Sequence, residues 1–239
     1  MHRALTSRLA LLSLGLGFCS LALVALSALG YRQGWWPVLP ALSVFEWAVW
    51  SALAGLATAG AAGVHWLRRR RGGSVLVLTG MLSCLPVLAM AAHWEYATLN
   101  APPINDISTD TQDPPVFWDM PNPTDYPSRN AEVQRGAYPG AVPLEVARPA
   151  KEVFVLALDL VRARGWKVIA EAPDEGRIEA EARSLLYGFV DEVAVRITEM
   201  ENGARVDMRS RSRLGRIDRG VNARRIEIFL ADLKDRGKP

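Results

Sequence analysis

The fold is decided by residues 190–212, which read VDEVAVRITEMENGARVDMRSRS. The apolar residues Val193, Val195 and Ile197 recur at every second position, and the pattern resumes after a Glu-Asn-Gly turn at 201–203. Successive side chains of a β-strand point to opposite faces, so a period of two predicts strands with one apolar and one polar face. The Asn-Gly pair is typical of a hairpin turn. We therefore predict two antiparallel strands whose charged face is exposed to solvent.

The pattern extends outward from the hairpin over residues 144–239. Further alternating stretches predict strands, and two apolar stripes at helical spacing predict helices, the first opened by Pro149 in its first turn and the second with Asp218 as N-cap. The additional predicted elements are strands at 144–146, 166–171 and 178–184, a helix from Pro149 to near Gly165 and a helix with its apolar stripe at 221–233. The order is β-α-β-β-β-β-α, which predicts an α+β domain with two helices on one face of an antiparallel sheet. The arrangement is helix-grip-like, an analogy of fold alone.

Residues 97–143 differ in composition, since nine of them are proline. Proline removes a backbone donor and disfavours helix in the residue before it. We predict an extended arm that lies on the domain or leads to it. The predicted organisation is a membrane anchor at 1–96, a proline-rich arm at 97–143 and a soluble domain at 144–239.

The anchor contains three apolar runs, Leu9–Leu29, Val44–Leu67 and Val75–Trp94. Each is about as long as the roughly 20 residues that cross a bilayer. The first run is longer than the usual apolar region of a signal peptide, which favours an uncleaved helix. We predict an α-helical membrane part with three spans.

Basic residues predict the orientation of these spans. Arg3 and Arg8 precede the first span, and the Arg run 68–71 lies between the second and the third. Loops rich in Lys and Arg stay in the cytoplasm. We therefore expect a multi-pass protein of the plasma (inner) membrane, with a cytoplasmic N-terminus and the C-terminal domain on the periplasmic or extracellular side.

Composition excludes several classes of function. Residues 1–99 carry a net charge of +5 and residues 100–239 carry −2, so the basicity sets membrane topology and predicts no nucleic-acid partner. The part after residue 99 has no His and no Cys, so it cannot form a Ser-His-Asp triad, a Cys nucleophile or a zinc site. We assign no catalytic residue, no metal ligand and no cofactor. Asp106, Asp110 and Asp113 lack the spacing of an EF-hand loop and are more typical of local turns.

Three segments carry a family resemblance. They are Pro102–Asp110 with Asp113-Pro114-Pro115, Ile178–Ala180 through Gly188–Arg196, and Val206–Ser210 through Ser212–Asn222. With these segments the chain resembles the bacterial family catalogued as domain of unknown function 1499. Glu192 stands where that family often has Asp, which keeps the charge. The resemblance identifies the module and implies no reaction.

The densest charge cluster after the anchor predicts an anion site at the start of the last helix, where the helix dipole favours negative charge. The candidate residues are Arg209, Arg211, Arg213, Arg216, Asp218 and Asn222. The alternative is a solvated sheet face whose arginines pair with Glu179, Glu181 and Asp191.

Two further features of the sequence are consistent with binding of a ligand or contact with a membrane. Small residues on the helix-facing side of the inner strands predict a cavity beside Ser184, Ser210 and Ser212, or close helix packing. The apolar turn at 185–189 is a core element, a cavity lid or a tip that touches the membrane.

These observations lead us to expect a cell-envelope protein that binds a lipid, another anion or a partner protein, rather than an enzyme. The expected partners are membrane lipid, together with an envelope protein or a second copy of the chain. One alternative is a carboxylate-based hydrolase, which would gather Asp106, Asp191 and Asp207 in one cleft. Another is a structural assembly subunit that uses the small-residue stripe Ser51, Gly55, Ala59 and Gly63, although that stripe also suits packing among the three spans.

Overall fold

The computed structural model describes residues 2–69, 74–121 and 125–238, and the chain forms two compact units, Met1–Leu99 and Asn100–Pro239. Arg70, Arg71, Pro123 and Pro239, which entered the predictions above, lie outside the described residues. The described elements, in chain order, are α1 (His2–Arg32), α2 (Val38–Arg69), α3 (Ser74–Asn100), β1 (Asp106–Ser108), α4 (Asn130–Ala137), β2 (Leu144–Val146), α5 (Ala150–Ala163), β3 (Lys167–Ala172), a 3-10 turn (Pro173–Glu175), β4 (Arg177–Arg183), β5 (Val190–Met200), β6 (Gly203–Ser212) and α6 (Val221–Arg236).

The helices of the first unit confirm the three predicted apolar helices. The segments Arg8–Arg32, Val38–Arg68 and Val75–Asn100 are each long and apolar enough to cross a membrane. Only 22% of the most apolar window of each helix is buried inside the unit, so most of that apolar surface faces outward. This is the pattern expected of helices whose surroundings are lipid.

The small-residue stripe of α2 packs inside the first unit. The Ser51 hydroxyl donates to the carbonyl oxygen of Leu16 at 2.9 Å. A Cβ on Gly55 would lie 2.6 Å from the sulfur of Cys84, so a larger residue would separate α2 from α3. Ala59 is fully buried. The stripe therefore brings α2 close to its neighbours, as small residues do in membrane helix pairs.

The strands of the second unit form one antiparallel sheet in the order β1-β6-β5-β4-β3, and β2 also pairs with β6. The two short strands follow each other along one edge of β6, since Ile107 lies opposite Ser210 and Glu145 opposite Arg205. The α+β class and the predicted order from residue 144 onward are confirmed. β1 and α4 lie within residues 97–143, where the proline pattern predicted neither.

The face of the sheet toward α5 and α6, here called the helix face, carries the main core. Val193 and Met208 of the inner strands are fully buried in one cluster with Phe154, Ile226 and Phe229 of the two helices. Apolar burial contributes about 25 cal/mol per Å², so this cluster is a main source of the stability of the domain.

The opposite face, here called the arm face, is where one expectation is wrong. The charged side chains were predicted to be solvated, but the part of the chain after β1 covers them. Phe117 and Met120 are buried against Ala194 of β5, and Gln134 of α4 hydrogen-bonds both the N–H and the C=O of Ser108. The proline-rich segment therefore forms a second layer over the sheet.

Candidate functional site

The centre of the arm face is a buried ion pair between β1 and β6. The guanidinium of Arg209 donates from Nε to Oδ1 of Asp106 at 2.9 Å and from Nη2 to Oδ2 at 2.7 Å. Arg209 is 1% exposed, and its guanidinium carbon lies 4.8 Å from the ring centre of Phe117 and 5.7 Å from that of Tyr126. Burial beside Asp106 raises the pKa of the Tyr126 hydroxyl to about 12. The pair fastens the arm segment to the sheet.

A chain of ion pairs continues toward the far end of the sheet. Arg211 donates to Glu192 at 2.6 Å, and Arg213 bridges Glu192 at 2.9 Å and Glu181 at 2.8 Å. Burial alone would raise the pKa of Glu181, but hydrogen bonds and charge from Arg213, joined by Arg183, outweigh it and lower the pKa. The predicted pairing of these arginines with carboxylates is therefore observed, in a buried rather than a solvated layer.

The other end of the arm face repeats this arrangement. Arg205 donates to both oxygens of Asp207 and to Asp110 at 2.8 Å, and Arg196 donates to Asp113 at 2.8 Å. Burial alone would raise the pKa of Asp110, but backbone N–H groups and the two arginines outweigh it, so the pKa is lowered. Asp110 is therefore charged at neutral pH.

The start of α6 is capped by the protein itself. The predicted cap, Asp218, lies two residues before the N-cap Gly220, and its carboxylate accepts the N–H groups of Gly220 at 3.0 Å and Asn222 at 2.8 Å. Burial raises the pKa of Asp218. The side chain of Asn222 hydrogen-bonds Ser210 and Ser212 at 2.7 and 3.0 Å. Asp218 thus caps the helix, and Asn222 makes polar contacts between the helix and the sheet.

The predicted site residues are therefore divided among three environments. Arg209 and Arg211 are buried in the arm face, Arg213 is partly exposed and paired, and Arg216 is exposed. Asp218, Asn222, Ser210 and Ser212 lie on the helix face. Ser184 is exposed and closes a turn, accepting the N–H of Phe189 on its hydroxyl at 2.9 Å. The structure does not gather the six anion-site residues around one point, nor the three serines.

The three carboxylates named for a hydrolase also do not converge. Asp106 and Asp207 lie on the arm face, held by Arg209 and Arg205. Asp191 lies on the helix face, where it forms an ion pair with Arg225 of α6. An acid and a base that act on one bond must face the same substrate. This set of residues cannot do so across the thickness of a sheet.

One end of the sheet presents exposed apolar side chains. Leu185 in the turn between β4 and β5 is 94% exposed, and Leu186 and Leu214 are also exposed. The segment 213–216 lies beside that turn, since the N–H of Arg213 donates to the carbonyl of Val190 at 3.1 Å. We call residues 183–189 and 213–216 the tip. Its exposed cationic side chains are those of Arg183 and Arg216.

Sequence reasoning missed the arm residues that complete the buried layer. Phe117 and Tyr126 cover Arg209, and Asp110 and Asp113 hold the arginines at the other end. The available signal was two aromatic residues between prolines, which is unusual for a solvated linker. Pairing these aromatics with particular strand arginines needed the tertiary structure.

The fold and the ion-pair layer define a class of protein: an α+β domain with a charged, covered sheet face, preceded by three apolar helices. The model of the family described as "Protein of unknown function (DUF1499)" matches residues 106–233. The chain therefore belongs to this family, and the resemblance found in the sequence is confirmed. The match begins at β1 and so includes the arm as well as the sheet and helices. A search of curated proteins finds no match.

Proposed function

We propose that this is a membrane-anchored protein of the cell envelope whose soluble domain binds the anionic lipid surface through its tip. The observation that carries the proposal is the combination of Leu185, Leu186 and Leu214 with Arg183 and Arg216 in two adjacent turns. Burying one leucine in an apolar environment contributes about 1.5–3 kcal/mol. A basic side chain near an anionic bilayer adds about 1 kcal/mol.

The course of the chain supports this choice of surface. Only residues 101–105 join the end of α3 to the start of β1. Asn105, the last of them, donates to the carbonyl oxygen of Gly215 at 2.6 Å. Hence the chain reaches the domain at the tip. Five residues span at most roughly 20 Å when fully extended.

The tip fits a lipid surface better than the predicted anion site at α6 does. Asp218 already supplies the negative charge at the helix N-terminus, and Glu181 and Glu192 hold Arg213. Arg216 is exposed, and Arg183 donates to Glu181 at 3.1 Å while more than half of its side chain stays exposed, so a head group can approach both. This proposal keeps the expectation of a lipid partner and moves it from the helix terminus to the tip.

The proposed location follows the distribution of basic residues. Arg8 begins the first span and Arg68 ends the second, so the positive-inside rule puts both in the cytoplasm. With three spans, the domain then lies on the outer side of the plasma (inner) membrane. The lipid surface that it would bind is the outer leaflet of that membrane.

Spin-label accessibility tests the proposal on the full-length chain in lipid nanodiscs. Cys19 and Cys84 are replaced by Ala, and a nitroxide is attached at Leu185→Cys. In nanodiscs with anionic lipid, we expect the label to be more accessible to oxygen and less accessible to a water-soluble nickel chelate than in detergent. Asn202→Cys, in the turn at the other end of the hairpin, is the matched control and should stay water-exposed.

Charge reversal separates a lipid contact from simple packing. Arg183→Glu with Arg216→Glu should move the Leu185 label into water, and high salt should do the same in part. If the Leu185 label is as accessible to the nickel chelate as the Asn202 label in anionic nanodiscs, the tip does not bind lipid.

A further inference from the structure

A recess on the arm face lies away from the tip. It has a volume of about 230 Å³ and opens between the segment 115–118 and strands β4 and β5. Its polar lining consists of Glu175, Arg177 and Arg196, and its apolar lining includes Val116 and Trp118. The lipid proposal uses none of these residues.

The two arginines of the recess are already neutralised. They lie opposite each other in the pairing of β4 with β5, an arrangement that is unfavourable unless opposite charges surround it. Arg177 donates to Asp119 at 2.6 Å, to Glu179 at 2.8 Å and to Glu175 at 3.2 Å. These three carboxylates alone outnumber both guanidinium groups.

Arg196 adds two more carboxylates to the balance, because it donates to Asp113 at 2.8 Å and to Asp207 at 3.3 Å. Asp207 is shared with Arg205, which also pairs with Asp110. Six carboxylates therefore surround three guanidinium groups. Asp113, Glu175 and Asp119, each bonded to an arginine of the lining, are 81%, 66% and 47% exposed. The outer rim of the recess is consequently negative, which disfavours an anionic ligand and favours a cation.

An aromatic ring stands on this rim. Trp118 is 68% exposed. Its backbone is nevertheless fixed, since the N–H groups of Trp118 and Asp119 donate to the buried carboxylate of Glu179 at 2.8 and 3.1 Å. An exposed indole held by a rigid backbone can bind a cation over its face at little entropic cost. Tryptophan is also enriched among the residues that dominate protein interfaces.

We infer that this recess binds a basic side chain of a partner polypeptide. The cation would lie over the indole of Trp118, within reach of Asp113, Asp119 and Glu175, and the apolar lining would receive the side-chain methylenes. Arginine and lysine both combine an apolar stem with a charged head, which matches the two halves of the lining. The surface is opposite in charge to the tip, so the protein can hold an anionic membrane and a basic partner at the same time.

Peptide titration tests the inference on full-length protein in nanodiscs of zwitterionic lipid. The probes are three dodecapeptides of equal length that carry four arginines, four citrullines or four glutamates in a Gly-Ser background. Trp118 is reported by the fluorine resonance of incorporated fluorotryptophan, assigned by Trp118→Phe. We expect saturable shifts with the arginine peptide and at least tenfold weaker binding of the uncharged citrulline peptide.

Variants locate the binding site. Trp118→Ala should weaken binding of the arginine peptide, measured by thermophoresis, by about 2-fold to 30-fold. Asp113→Asn should weaken it severalfold, since this exposed carboxylate lies on the rim. Val142→Ala, an exposed apolar position outside the recess, is the control and should leave the affinity unchanged.

The outcomes are distinct from those of the lipid test, because zwitterionic nanodiscs remove the anionic surface. Binding that is equal in the Trp118→Ala variant would overturn the inference. Preference for the glutamate peptide would assign the recess to anions through its arginines, and binding of divalent cations without peptide binding would assign it to a metal. Each of these results contradicts a basic polypeptide as the ligand.

Discussion

The two faces of the sheet are both buried, but one is apolar and the other is charged. On the helix face, Val193 and Met208 pack against apolar side chains of α5 and α6. On the arm face, Arg209 and Glu192, which neighbour them along the same strands, are equally buried but charged. Both faces show the same period of two in sequence. The difference teaches that alternation reports which side chains share a face, whereas burial depends on what covers that face.

The energetics of the two faces differ accordingly. Apolar burial on the helix face is non-directional and tolerates small adjustments. A buried charge must instead be matched, because removing one partner leaves the other desolvated and unpaired. The arm face is therefore expected to stabilise the domain less per residue than the helix face, while being more sensitive to the loss of a single atom group.

Removing Asp106 should give the largest loss of stability. A small loss would contradict the comparison of the two faces. Asp106→Ala leaves the buried guanidinium of Arg209 without its two carboxylate oxygens, at a cost of about 3–5 kcal/mol. The measurement is the urea midpoint of the domain, followed by circular dichroism on the full chain in detergent. Asp113→Ala, at an exposed ion pair, is the control and should cost less than about 1 kcal/mol. Equal midpoints for the two variants would show that the arm is not a stabilising layer.

Truncating the helix-face core should come next. Ile226→Ala removes buried methyl groups between α6 and the sheet and should cost about 2–5 kcal/mol, whereas Ile226→Val should cost about 0.5–1.5 kcal/mol. This graded response, read from the same urea midpoints, is the mark of an apolar core. Equal urea midpoints for Ile226→Val and Ile226→Ala would mean that this face, too, depends on one specific contact.

Low pH should destabilise the arm face rather than the helix face, and the loss of stability should be smaller than in the two substitutions above. The pKa values of Asp110 and Glu181 are lowered in the folded domain, so their stabilising contribution is complete above about pH 5 and is lost as pH falls through the lowered values. Asp218, whose pKa is raised, acts in the opposite sense and offsets part of the loss. We expect the urea midpoint to decrease as the pH is lowered below about 5.

Two variants assign that pH dependence to the arm face. Glu181→Gln should flatten it, because the titrating group is removed, whereas Ile226→Ala should lower the midpoint at every pH without changing the slope. A slope unchanged in Glu181→Gln would show that the ion-pair chain contributes little to acid sensitivity.

Local patterns determined much of this protein. The length and composition of the three apolar runs, such as Leu9–Leu29, predicted the helices of the first unit. Alternation over β4, β5 and β6 and the helical stripes of α5 and α6 predicted the order of the elements after residue 144. These signals depend on spacing along the chain, and spacing is what a sequence contains.

Only the tertiary structure decided what covers the charged face and where the site residues lie. The pairing of Asp106 with Arg209 joins residues about a hundred positions apart, and the cover supplied by Phe117 depends on the path of a proline-rich segment without periodicity. Tertiary structure also decided that the turn between β4 and β5 leaves Leu185 exposed at the tip, and that Trp118 stands on the rim of the recess. Such contacts are set by long-range packing, in which each partner is specified by the position of many others. Local periodicity therefore identified the faces of the sheet, and three-dimensional packing determined what covers each face.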